Sequence, residues 1–97
     1  MIIAVSTEWG EDFSRFAYYQ VENGTLKRRE EAAVAPGGAR QLALQLVGLE
    51  IDLLLCCAIG ESLSAELEQA GVTVISGLAP GRADAVLSGY LDGTLSF

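Results

Sequence analysis

Histidine is absent from the 97-residue chain. That removes the side chain most often used as a general base near neutral pH, and the commonest nitrogen ligand for metals. Serine–histidine and cysteine–histidine nucleophile pairs are therefore excluded within the chain. Cysteine is nearly as scarce, and the two residues present, Cys56 and Cys57, are adjacent. A disulfide framework uses spaced pairs, whereas free thiols fit a reducing cytosol. Basic residues number 6 against 13 acidic ones, for a net charge of −7. Phosphate backbones and anionic lipid surfaces are gripped by clustered Lys and Arg, so neither nucleic acid nor membrane is an expected partner. No apolar run approaches the roughly 18 residues of a membrane span. The longest, from Ile51 to Ile59, is broken by Asp52 and has the length of a strand. The opening run Met1 to Val5 carries neither a basic segment nor a small-residue cleavage site. No leader peptide is expected, and the chain reads as cytoplasmic.

What is present is a core and clear punctuation. Apolar residues make up 51% of the sequence, which suits a single domain over residues 1–97 without disulfide or metal support. Ile2 to Ser6 is a short β-branched run and predicts a buried strand. Phe16 to Glu22, rich in aromatics, predicts a second. Asn23-Gly24 follows at once and predicts a tight hairpin, because both residues tolerate positive φ. The returning strand runs from Thr25 to about Val34, and its mixed-sign run Lys27 to Glu31 reads as a solvated strand face. After Ala35-Pro36-Gly37-Gly38, Leu42, Leu46 and Leu49 recur at helical spacing, predicting a helix from about Gly38 to Gly48. Ile51 to Ala58 predicts a strand buried on both faces. A helix capped by Ser62 and stopped at Gly71 follows, then a strand over Val72 to Ser76. Ala83, Val86, Leu87, Tyr90 and Leu91 make the apolar stripe of a last helix ending at Gly93.

The order is βββαβαβα. Right-handed crossovers place the fourth and fifth strands parallel to the first. The expected architecture is α/β, with a mixed five-stranded sheet of order 3-2-1-4-5 and helices on both faces. Strands 1 and 4 then lie side by side at a topological switch point, and ligands of open α/β sheets bind beyond the carboxyl ends of such strands. Those ends carry Ser6, Thr7 and Glu8 on one strand and Cys57, Ala58, Ile59 and Gly60 on the other.

The sequence resembles the dinitrogenase iron–molybdenum cofactor biosynthesis family, whose fold is ribonuclease H-like and three-layered. Ile2-Ile3-Ala4-Val5-Ser6-Thr7 matches the first strand, and Asp12-Phe13-Ser14-Arg15 stands where the family usually shows His-Phe-Gly-Arg. Gly37-Gly38-Ala39 falls at the glycine-rich start of the first helix, Cys57-Ala58-Ile59-Gly60 at a Gly-Gly-Ile-Gly turn, and Ala70-Gly71-Val72 at the entry to the last strand. The resemblance covers nearly the whole chain. It implies handling of an iron–sulfur or molybdenum-containing cluster, related to nitrogen fixation. Asp12 and Ser14 replace the usual histidine and glycine, and Cys57 stands in the later turn where the family shows glycine. Ribonuclease H-like enzymes carry a metal-binding carboxylate in strand 1. Ile2 to Ser6 has none, and Asp52 begins strand 4 at the opposite end, so a nuclease and, more broadly, an enzyme are not expected.

The candidate binding residues are Cys57, Gly60, Thr7, Arg15, Asp12 and Gly38. Consecutive strand residues point to opposite faces, so Cys56 and Cys57 cannot readily clasp one metal. Both are read first as small buried hydrophobes. Cys57 is the metal-ligand candidate: it is nearer the strand end and precedes a helix N-terminus, where the dipole favours thiolate, a soft ligand for iron–sulfur centres. Completing a cluster would need a second chain or an external ligand. Arg15 with Asp12 and Ser14 reads either as a loop ion pair or as an anion contact. Gly37-Gly38 reads as a turn, or as backbone N–H groups presented to an anion. Trp9 reads as a lid on the core or an anchor for a partner. The functional expectation is a non-catalytic binding or carrier protein for a cluster or its precursor, as monomer or homodimer. The alternative is a cluster-free interaction or regulatory domain with no cofactor.

Overall fold

The computed structural model describes residues 1–9, 15–34 and 37–93, without the side chains of Trp9 and Ala39. Its strands are β1 (Ile2–Val5), β2 (Arg15–Glu22), β3 (Thr25–Ala33), β4 (Leu53–Leu55) and β5 (Thr73–Ile75). Its helices are α1 (Ala39–Gly48), α2 (Glu61–Gln69) and α3 (Ala83–Asp92), and a 3-10 turn covers Thr7–Trp9. The sheet order is β3-β2-β1-β4-β5, as the sequence predicts. β1 is antiparallel to β2 and parallel to β4, with Val5 level with Ala17 and with Leu55.

Burial explains the apolar runs. Ile3, Ala4 and Val5 are fully buried, as are Leu54 and Leu55, because β1 and β4 are central strands covered on both faces. Ile3 and Val5 face α3, packing with Leu87. Ala4, Phe16 and Leu54 face α1 and α2, packing with Leu42, Leu46 and Leu67. The hairpin turn adopts positive φ at both Asn23 (53°) and Gly24 (75°), the geometry that this pair tolerates.

The elements differ from expectation at several points. β4 ends at Leu55, so Cys56 and Cys57 lie just beyond the regular strand. Their backbone stays tied to the β5 side, Cys56 N–H donating to Ile75 and the Gly77 N–H donating to Cys57. α2 starts two residues earlier than a Ser62 cap requires, at Glu61, and Gly60 takes the N-cap position with extended backbone. The segment after β1 winds one 3-10 turn instead of remaining a loop.

At Gly37 the absence of a side chain matters. Its φ is +119°, and a Cβ there would lie 2.5 Å from Gln41 Cγ. Gly37→Ala should destabilise by at least about 1 kcal/mol through backbone strain and crowding of the first turn of α1. A chemical denaturation midpoint equal to that of wild type would contradict this.

Candidate functional site

β1, β3, β4 and β5 all run the same way, so their carboxyl ends share one sheet edge. The three helices follow β3, β4 and β5, so their N-termini lie along that edge as well. None of these N-termini has a side-chain cap: the N-cap residues are Gly38, Gly60 and Arg82, and none makes a capping side-chain hydrogen bond. Uncapped first-turn N–H groups and the helix dipoles make such an edge favourable to anions. Glu61 and Asp84 already complement the dipoles of α2 and α3, whereas the first turn of α1 carries no acid.

Cys57 stands at the centre of this edge. It is half-buried, and its Sγ lies 4.0 Å from the Thr7 carbonyl oxygen across the β1–β4 seam. Cys56 turns the other way, into the layer of α1 and α2, fully buried. Its thiol reaches the Ile75 carbonyl at 3.8 Å, and burial, assisted by the neighbouring Cys57, pushes its pKa up to about 11. A neutral, sealed thiol is a structural group. The opposed pointing expected of adjacent residues is thus observed, with Cys57 the accessible member.

Thr7 is fully buried. Its hydroxyl donates to the Gly81 carbonyl at 3.1 Å, and the Gly81 N–H donates back to the Thr7 carbonyl at 3.2 Å. Thr7 therefore pins the segment entering α3 against the end of β1. Beside it, Ser6 Oγ is buried with no hydrogen-bond partner among the described residues, an arrangement that costs about 1–3 kcal/mol. Gly60 is exposed, with open space where a Cβ would be. Gly38 is exposed too, at φ +84°, and its carbonyl accepts from Leu42 N–H. Arg15 opens β2 at the same edge, its guanidinium 3.7 Å from Glu31 with both groups well exposed. An ion pair of that separation and exposure contributes little. Asp12 lies outside the described residues, as does its relation to Arg15.

Sequence reading missed the best-connected polar group. Arg29, placed by the sequence on a solvated strand face, donates from Nε to both the Tyr19 hydroxyl and Asp84 at 3.2 Å, and from Nη1 to Glu31 at 2.7 Å. It also lies 3.6 Å from Glu8 in the 3-10 turn. The Tyr19 hydroxyl donates to Asp84. Burial, then that bond, pushes the Tyr19 pKa up to about 12, while the Tyr19 bond holds the Asp84 carboxyl below its ordinary range. The cluster straps β2 and β3 to α3 and to the turn after β1. Tyr19 and Asp84 are 65 residues apart, a pairing no local pattern reveals. Among the described residues, no group of three or more His, Cys, Asp or Glu is placed to hold a metal ion.

A family model described as dinitrogenase iron-molybdenum cofactor matches residues 12–93. The chain belongs to that family. Membership connects this protein to the handling of the iron–molybdenum cofactor, and the match runs from the segment before β2 to the end of α3. The crystal structure of PH0822 is similar over 100% of this chain and 96% of that one, with a TM-score of 0.85 and 21% identity. At that identity the likeness establishes the α/β fold, strand order included. No curated protein gives a sequence match. No helix is long and apolar enough to cross a membrane among the described residues.

Proposed function

We propose that this family member is a non-catalytic carrier that holds an iron–sulfur or molybdenum-containing cluster, or its precursor, at the carboxyl edge of the sheet. The cluster is cargo, with Cys57 its thiolate ligand and Arg15, Gly38 and Gly60 lining the approach. The observation that carries the reading is the half-buried Cys57 at the β1–β4 seam, on the edge shared by three helix N-termini without side-chain caps. Thiolate-ligated clusters are soft and commonly anionic, which suits a sulfur donor among helix N-termini. One thiolate is a partial donor set, so the remaining positions are filled by external ligands or by a second chain. A carrier that must release its cargo is served by such a loose hold. The same donor set favours a second reading, a cluster-free interaction or regulatory domain.

Anaerobic reconstitution with iron, sulfide and molybdate separates the two. The carrier reading expects a visible absorption band in wild type that is lost in Cys57→Ser and retained in Cys56→Ala. No band in wild type, or an unchanged band in Cys57→Ser, favours the cluster-free domain.

A further inference from the structure

A second surface, remote from Cys57, has the features of a docking groove. It lies between the β2–β3 hairpin and α3, toward the end where the hairpin turns and α3 finishes, and has a volume of about 240 Å³. Its apolar walls are Leu26, Leu87 and Leu91, and Asp84 and Asp92 stand at its rim. Leu26 is 49% exposed and Leu91 37%, both high for leucine beside a formed core.

Leu26 is in the groove because of a bulge. The β2–β3 register runs Gln20 to Arg28 and then Val21 to Leu26, leaving Lys27 as the extra residue. Val21 and Tyr19 belong to the α3 side of the sheet. Strict alternation from Arg29, which pairs with Tyr19, would set Lys27 on that side and Leu26 on the other. The bulge reverses this and brings a leucine, not a lysine, to the α3 face, where it stays half open to water. Re-aiming a side chain is a common use of bulges.

The charge is equally directed. Asp92 closes α3, whose last turn holds no basic residue, so a carboxylate sits at the negative end of the helix dipole. Asp92 is exposed, and among the described residues it has no hydrogen-bond or ion-pair partner. A cation beside Asp92 would relieve this. We infer that the groove is a docking site for a partner protein, which inserts a segment pairing an apolar side chain with a neighbouring Lys or Arg. The apolar side chain covers Leu26 and Leu91, and the cation meets Asp92.

The test is an amide chemical-shift titration of the whole protein with two short synthetic peptides, one of leucine and lysine, the other of leucine and glutamate. The leucine–lysine peptide should shift Leu26, Ser88, Leu91 and Asp92 saturably, and the leucine–glutamate peptide should not. Leu26→Ser, which leaves the charge unchanged, and Asp92→Asn should each weaken binding about tenfold, the loss expected for removing one central contact. Equal affinity in Leu26→Ser would show diffuse attraction to an acidic protein and overturn the groove. Shifts confined to the α1–α2 face would overturn it as well. So would binding that appears only after residues 94–97 are deleted, since the occupant would then be the chain's own end.

Discussion

Phe16→Ala should lower the unfolding free energy by about 3–5 kcal/mol, the range for removing a fully buried phenylalanine. Phe16 has no exposed surface and packs among Ala4, Leu42 and Leu46 under α1. Its ring also meets Tyr18 at a centroid distance of 6.0 Å and a 44° tilt, a favourable aromatic pairing. Domains of this size have about 5–15 kcal/mol of total stability, so the loss is a large share. Urea denaturation followed by far-ultraviolet circular dichroism measures the effect, with Phe16→Leu recovering most of it. A midpoint change worth less than about 1 kcal/mol would contradict the packing described.

Stability should also fall on the alkaline side, in two overlapping steps. The Cys56 pKa rises from 9.0 to about 11 on folding, chiefly through burial, and that of Tyr19 from 10.0 to about 12. Below pH 9 both groups are protonated in the folded and the unfolded chain, so their contribution is complete. Between about pH 9 and 11 the unfolded chain releases the thiol proton while the folded chain keeps it, and the tyrosine repeats this between about 10 and 12. Each group costs up to about 1.4 kcal/mol per pH unit within its window. Cys56→Ala should remove the first step and Tyr19→Phe the second, each read as a flatter dependence of the urea midpoint on pH. Identical slopes in wild type and both variants would show that neither group is sealed as described. Tyr19→Phe should also lower stability at neutral pH, because Asp84 and Arg29 lose a shared partner.

The strand order, the hairpin and the helix count were legible in the sequence because each rests on a short-range rule. Asn23-Gly24 specifies its turn through the φ values that the two residues tolerate, and both are observed positive. The apolar runs of β1 and β4 mark strands covered on both faces, and their burial agrees. Right-handed crossovers then leave one sheet order, with Cys57 beside the end of β1. Element ends were less legible. Gly60 takes the cap position in place of Ser62 because the turn after Cys57 brings the chain into helical geometry two residues sooner, at Glu61.

The α/β class, the strand order and the edge on which Cys57 stands follow from periodicity, turn chemistry and handedness, which act over a few residues at a time. Tertiary structure alone decided which thiol is sealed, because that depends on whether α1 and α2 or the end of β1 covers it. It also decided that Arg29 joins Glu8, Glu31 and Asp84 around Tyr19, and that a bulge at Lys27 turns Leu26 toward α3. These contacts join residues far apart in the chain, or depend on a one-residue slip in register. The energies that settle them come from packing and charge pairing that exist only once the layers have met.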